Sequence, residues 1–366
     1  MLHLMCVFGT RPEAIKMAPV IRQAEAAADR VKPVVCVTGQ HREMLDQVLA
    51  CFRIKPDIDL GVMRQNQTLA LLTANLVQSL DEVMRERKPD LVLVQGDTTT
   101  AMIGALAAYY HKIPVGHVEA GLRTSDRYNP FPEEMNRRVV SELANLHFAP
   151  TQNAVDVLLA EGHPADSVFL TGNTVVDALL STLQDLGLSP TVRPKASRRS
   201  ILVTAHRREN FDAPLRNICS ALRQLADRNP DVEIVYPVHL NPNVQQPVLS
   251  QLSGHERIRL LPPLGYAELV RVLHQSHLVL TDSGGIQEEA PALGIPVLVM
   301  RTTTERPEGI TAGVAKLVGT ETEDIVRHAE LLLNDATEYA RMARAVNPYG
   351  DGRAAEKILC AILSRF

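Results

Sequence analysis

Nowhere in the 366 residues does an apolar run approach the roughly 18–20 residues of a membrane-spanning helix. No membrane span is expected. Cysteine is scarce and scattered: Cys6, Cys36, Cys51, Cys219 and Cys360 are odd in number and form no C-x-x-C pair. That pattern argues against a disulfide framework and a zinc site, and for reduced thiols in the cytoplasm. Neither sign of charge is in excess, with a formal net charge of −4, so no nucleic-acid surface is indicated. Repeats, low-complexity tracts and a signal-peptide pattern are also missing, and Met1 leads directly into an apolar strand. What is abundant is core material. At 45% hydrophobic, the chain can fill two cores, since single cores rarely grow past about 250–300 residues.

Strand and helix patterns alternate along the whole chain. Leu2–Phe8, Val34–Val37, Asp90–Val94, Val115–Val118 and Leu146–Ala149 read as strands of the first half. Helices are expected over Glu13–Ala27, Arg42–Cys51, Thr68–Arg87, Thr100–Tyr110 and Glu134–Leu143, with Pro12 suited to a first helical turn. The second half supplies strands Ile201–Thr204, Glu233–Pro237, Ile258–Leu261, Leu278–Thr281, Val297–Met300 and Ala315–Val318, then a last helix, Arg353–Leu363. Gly187–Ser200, rich in proline and basic residues, reads as a solvated linker. Such spacing predicts parallel β-α-β units in two doubly wound α/β domains, with ligands at the carboxyl ends of the strands.

The stretch LVLTDSGGIQEEAPALG, Leu278–Gly294, is the most informative. A strand feeds a Gly284-Gly285 turn and a helix start, with Glu288 and Glu289 expected in the first turn. Free N–H groups and the helix dipole there suit a diphosphate, and Ser283 adds a hydroxyl. An ordinary βα turn that uses glycine for its backbone freedom is the alternative. The acids in the helix would suit sugar or ribose hydroxyls.

Other polar residues fall at strand ends. Asp97 closes DLVLVQGD, Glu119 closes IPVGHVEA, and Glu133 and Glu134 open a helix behind Asn129-Pro130-Phe131-Pro132. Singly, each can be read as a helix cap or an ion pair, Glu119 with Arg123 for example. Three carboxylates converging on one crevice would instead raise a pKa and prepare acid/base chemistry. His206 and His239 close two strands of the other half, which suggests a shared ligand. Arg11 and Lys16 stand around the first helix start, placed for a phosphate or a base, and Thr302–Glu308 follows a further strand. These residues point to a nucleotide-linked substrate undergoing proton transfer.

Eleven stretches taken in order resemble the non-hydrolysing UDP-N-acetylglucosamine 2-epimerases. They are GTRPEAIKMAPV, TGQHREMLDQVL, GDTTT, GHVEAGLRT, PFPEEMNR, TGNTVVDAL, AHRREN, YPVHLNPNV, LTDSGGIQEEAPALGIPVLVMR, TTERPE and NPYGDGRA. The resemblance implies a GT-B-like fold of two Rossmann-like domains facing a cleft, a homodimer, and interconversion of UDP-GlcNAc and UDP-ManNAc. Neither a cofactor nor a metal is expected. The reaction it implies eliminates UDP to leave a 2-acetamidoglucal, then adds UDP back. Catalysis would fall to Asp97, Glu119, Glu133 and His206. Substrate contacts would fall to Arg11, Lys16, His239, Ser283, Gly284, Gly285, Glu289 and Arg306. A second UDP-GlcNAc would act as activator on Gln40, His41, Gln67, Glu134, Arg207 and His239. The domains implied are 1–172, 173–350 and a helix, 351–366, crossing back to the first. Two positions depart from the pattern: Asn66 where activator-binding relatives often carry Arg, and Leu269 where several carry a Phe near the uracil.

Four rivals differ in testable ways. A retaining GT-B glycosyltransferase would share the fold and the UDP cradle but needs an acceptor groove. A hydrolysing epimerase would release free ManNAc and often carries a kinase domain, for which the length leaves no room. A non-catalytic UDP-sugar sensor would not need the acid/base residues. A nicotinamide-dependent epimerase would need a G-x-G-x-x-G after the first strand, or a Tyr with a Lys four residues later, and neither is present.

Overall fold

The computed structural model describes the chain from Met1 to Phe366 apart from Gln40, His41, Met63, Gln65, Asn66, Ser125 and residues 193–196, and the side chains of Arg42 and Glu43. It divides into two compact units, Met1–Ser181 with Tyr349–Phe366, and Thr182–Pro348.

The first unit is built on seven parallel strands: β1 Leu2–Phe8, β2 Val31–Val37, β3 Ile58–Asp59, β4 Leu91–Gln95, β5 Val115–Val118, β6 Leu146–Ala149 and β7 Val168–Leu170. Their order is β3-β2-β1-β4-β5-β6-β7, so the winding reverses between β1 and β4. All five residues of β4 are buried, as a strand with helices on both faces requires. Met5, Val7, Val92 and Val94 pack there against Leu76, Leu80 and Ile103 of the neighbouring helices. The final helix, Ala354–Leu363, packs on Arg11–Ala26 within this unit. Its first N–H groups donate to the Asp177 carboxylate at 3.2 and 2.8 Å. Asn173 N–H donates to Tyr349 O at 2.7 Å just beside it.

The second unit has six parallel strands: β8 Arg199–Thr204, β9 Val232–Pro237, β10 Ile258–Leu261, β11 Ser276–Thr281, β12 Val297–Val299 and β13 Ala315–Leu317. Their order, β10-β9-β8-β11-β12-β13, reverses between β8 and β11. The apolar faces of Ala213–Arg228 and Thr322–Asn334 close over Ile201, Val203, Leu278 and Leu280.

Most elements lie within a residue or two of their expected bounds. The exceptions are β2, which begins three residues before its expected start, the short strands β3 and β7, too brief to show a period, and the helices Gln152–Ala160 and Thr174–Asp185, which the reading passed over. β11 starts two residues early because Ser276 follows the helix Tyr266–Gln275 without a turn, its hydroxyl donating to Val272 O at 2.7 Å. Among the described residues, no helix is long and apolar enough to cross a membrane.

Candidate active site

In an open parallel sheet, ligands bind beyond the carboxyl ends of the strands where the winding reverses. In the first unit that position is flanked by Gly9–Arg11 after β1 and by Asp97 after β4. Glu119 follows β5. It holds a backbone φ of +65°, a left-handed conformation uncommon for a non-glycine residue, and one that tends to persist where surroundings over-determine it. Three donors meet its carboxylate. Lys16 Nζ reaches Glu119 Oε1 at 2.5 Å, Asn173 Nδ2 donates to the same oxygen at 2.9 Å, and Gln95 Nε2 donates to Oε2. Glu119 is buried, and Lys16 lies buried against it.

Asp97 is held from the helix Glu133–Leu143. Arg137 pairs with its carboxylate, and Asn136 Nδ2 donates to its backbone carbonyl at 2.9 Å. Burial raises the Asp97 pKa, Arg137 opposes the rise, and the charge of Glu119 adds to it. The two carboxylates are therefore electrostatically coupled. Glu133 lies one turn before Arg137 on the same helix, which places both on one face. Its Oε2 is buried without a hydrogen-bond partner. Glu13, fully buried, ties this end of the sheet together. It accepts from Gly9 and Thr10 N–H at 3.0 and 2.7 Å and from the Thr98 hydroxyl at 2.5 Å, and burial raises its pKa.

The reversal in the second unit brings His206, after β8, beside Asp282 and Ser283, after β11. His239, after β9, stacks on His206 with ring centroids 5.6 Å apart and planes 15° apart. Its Nδ1 accepts the Asn241 N–H at 3.1 Å, which leaves the ring proton on Nε2. Ser283 is the N-cap of the helix Gly284–Ala292, but its side chain makes no cap hydrogen bond. Gly284 and Gly285 are the first two helical residues and neither has a positive φ. A Cβ on Gly284 would meet nothing closer than 3.8 Å, the Arg207 Nη2, with Arg306 Nη2 and Glu305 Oε2 both at 3.9 Å; on Gly285 the nearest atom is 4.0 Å away. Neither backbone strain nor packing calls for glycine at these positions. A helix N-terminus with open N–H groups, flanked by two guanidinium groups and the Glu305 carboxylate that pairs with Arg207, is suited to a phosphate.

These details revise three expectations. Gly284-Gly285 is helix rather than turn, which moves Glu288 and Glu289 out of the first turn and into the second. Glu288 holds the Arg306 guanidinium and Glu289 accepts from the Tyr266 hydroxyl at 2.8 Å, so both acids have protein partners. Arg123 pairs with Glu161, not with Glu119, because Lys16 already fills that place. Of the residues expected to hold an activator, Gln40 and His41 lie outside the described residues, as does Asn66. Glu134 is fully buried and accepts from Thr124 N–H at 3.0 Å and Arg138 Nε at 2.8 Å. Gln67 Oε1 accepts from Arg64 N–H at 3.2 Å. The residues the sequence reading missed are partners of those it found: Gln95, Asn173, Arg137 and Glu13 in one unit, Asp282, Tyr266 and Asn210 in the other. Arg137 had a findable signal, four residues after Glu133 in the same helix.

A family model described as UDP-N-acetylglucosamine 2-epimerase matches residues 23–363. The chain belongs to that family. It is 51% identical over 365 residues to the UDP-N-acetylglucosamine 2-epimerase of Bacillus subtilis, spanning 100% of this chain and 96% of the relative. The structure of UDP-GlcNAc 2-epimerase from Neisseria meningitidis bound to UDP-GlcNAc is similar over the whole of both chains, with 48% identity and a TM-score of 0.92. MurG of Acinetobacter baumannii, at 15% identity and a TM-score of 0.61, shares the fold alone. The chain is thus a GT-B-like protein of two parallel-sheet units.

Proposed function

We propose that the chain interconverts UDP-GlcNAc and UDP-ManNAc by eliminating UDP to a 2-acetamidoglucal and adding it back. The observation that carries this reading is the coupled pair Asp97 and Glu119, which close the neighbouring strands β4 and β5 beside the winding reversal of the first sheet, Arg137 paired with the one and Lys16 with the other. The C2 proton of the sugar is weakly acidic, so its removal must be coupled to departure of the diphosphate. Asp97, Glu119 and Glu133 supply the acid/base groups, and one of them takes the C2 proton while another returns a proton to the opposite face. Cationic charge developing at C1 favours the same carboxylates. In the second unit Ser283, Gly284, Gly285 and Arg306 hold the diphosphate, with His206 and His239 beside it, and stabilise the charge that collects on the leaving oxygen. Arg11 contributes from the first unit, and Glu289 meets the nucleoside.

The reading extends to a homodimer in the cytoplasm and to a second UDP-GlcNAc as activator at Gln67, Glu134, Arg207 and His239, with Gln40 and His41. Sedimentation with and without UDP-GlcNAc, alongside rate curves against its concentration, tests both; a monomer with hyperbolic kinetics would remove them. The decisive experiment for the chemistry is turnover in D₂O followed by NMR. Deuterium is expected at C2 of the product without added nicotinamide, with slow leakage of UDP and the glycal on long incubation. Complete protium retention with no glycal at any time would contradict elimination.

A further inference from the structure

Asp282 is a fully buried carboxylate beside His206. It extends β11 by one residue: its N–H donates to Thr204 O at 3.0 Å, and the hydroxyls of Thr204 and Thr281 meet at 2.5 Å beneath it. Its Oδ2 is saturated. It accepts from the N–H groups of His206 and Arg207, both at 2.8 Å, and from Asn210 Nδ2 at 3.0 Å. That one oxygen anchors the loop after β8, a task any single acceptor could perform. Oδ1 is different. It is buried, accepts no hydrogen bond, and lies 3.6 Å from His206 Nδ1. A buried carboxylate oxygen without a donor is costly, and a small rotation of the imidazole would bring Nδ1–H into hydrogen-bond range.

We propose that Asp282 is a positioning residue for His206, accepting a hydrogen bond from Nδ1–H on Oδ1 so that the imidazolium presents Nε2–H as a donor to the departing diphosphate. This rests on the role proposed above for His206. The carboxylate fixes ring orientation and stabilises the imidazolium, as a partner on the far nitrogen does for a working histidine. It also acts on charge. Burial pushes the His206 pKa down, and Arg207 and the stacked His239 push the same way, while Asp282 opposes all three. Without that opposition the imidazolium, which carries donors on both nitrogens, would be lost at lower pH.

Asp282→Asn separates the two oxygens, since its amide oxygen can still anchor the loop while its NH₂ faces Nδ1. In the full-length chain it is expected to lower kcat about 10²–10³-fold, with KM for UDP-GlcNAc within a few-fold of wild type. ¹⁵N-histidine NMR should show a lower His206 pKa in this variant, and Asp282→Glu should recover part of the rate. His206→Asn/Asp282→Asn should be no slower than His206→Asn alone, because residues acting as one unit do not add. Wild-type kcat in His206→Asn would overturn both the role of His206 and this proposal. A slow His206→Asn beside a folded Asp282→Asn with wild-type kcat and His206 pKa would overturn the positioning role alone. If Asp282→Asn does not fold, the wild-type spectrum with bound UDP decides: a His206 protonated on both Nδ1 and Nε2 supports the proposal, and a neutral ring protonated on Nε2 alone overturns it.

Discussion

Asp97 and Glu119 end neighbouring strands, yet the fold treats them differently. Asp97 is raised in pKa by burial against one arginine, while Glu119 is pinned at φ +65° by a lysine and two amides. Removing either charge should therefore cost chemistry more than binding. Asp97→Asn, Glu119→Gln and Glu133→Gln are each expected to slow epimerisation by about 10²–10⁴-fold. Calorimetry with UDP should show much smaller changes, and near-wild-type turnover in any one variant would exclude that residue. Both carboxylates were legible because parallel strands deliver their last residues to one edge. Their partners were not. Lys16, Gln95 and Asn173 meet Glu119 across sequence separations of 103, 24 and 54 residues, a convergence that exists only once the sheet is wound. Nor does any local pattern mark Glu119 as left-handed, because the strain is imposed by its tertiary partners.

The helix Gly284–Ala292 shows how far an element can be read. Strand, glycines and helix were all visible, since β11 is apolar and the helix pattern follows at once. The boundary between turn and helix was not, because Gly-Gly is neutral between them until Ser283 is seen as the N-cap. That shift of one turn reassigns Glu288 from a candidate sugar ligand to the partner of Arg306. It also sharpens a prediction. Gly284→Asp would set a carboxylate at the helix N-terminus, where open N–H groups welcome any anion and Arg207 and Arg306 stand close by. The variant is expected to fold as well as wild type, or slightly better, and to lose UDP binding through self-occupation and repulsion. Unchanged UDP affinity in the folded variant would remove the diphosphate from this helix end.

Across the whole molecule, two alternating α/β units followed directly from periodicity, but the burial of titratable side chains within the first unit did not. The first unit buries His117 and His147 as register partners on β5 and β6, and His147 packs against His163 with tilted rings, centroids 4.5 Å apart. His117 donates from Nε2 to Gly96 O at 2.8 Å, while Nδ1 of His117 and Nδ1 of His147 have no partner. Burial pushes the His117 pKa down to about 4 and that of His147 to about 3. A histidine near 6.5 when unfolded and depressed when folded contributes its stability above pH 6.5. That stability drains away as pH falls toward the folded value, because the unfolded chain binds the extra proton. The raised pKa values of Glu13, Asp97 and Asp177 act with the opposite sign, favouring the fold as pH falls toward their unfolded values. Comparing one variant with wild type isolates the histidine. For His147 alone the loss between pH 7 and pH 5 is about 2 kcal/mol. Urea unfolding of His147→Gln at the two pH values should therefore show a pH-dependent loss smaller than wild type by about that amount, whatever the variant's stability at pH 7. An identical loss in variant and wild type would mean that His147 is not held neutral in the folded unit.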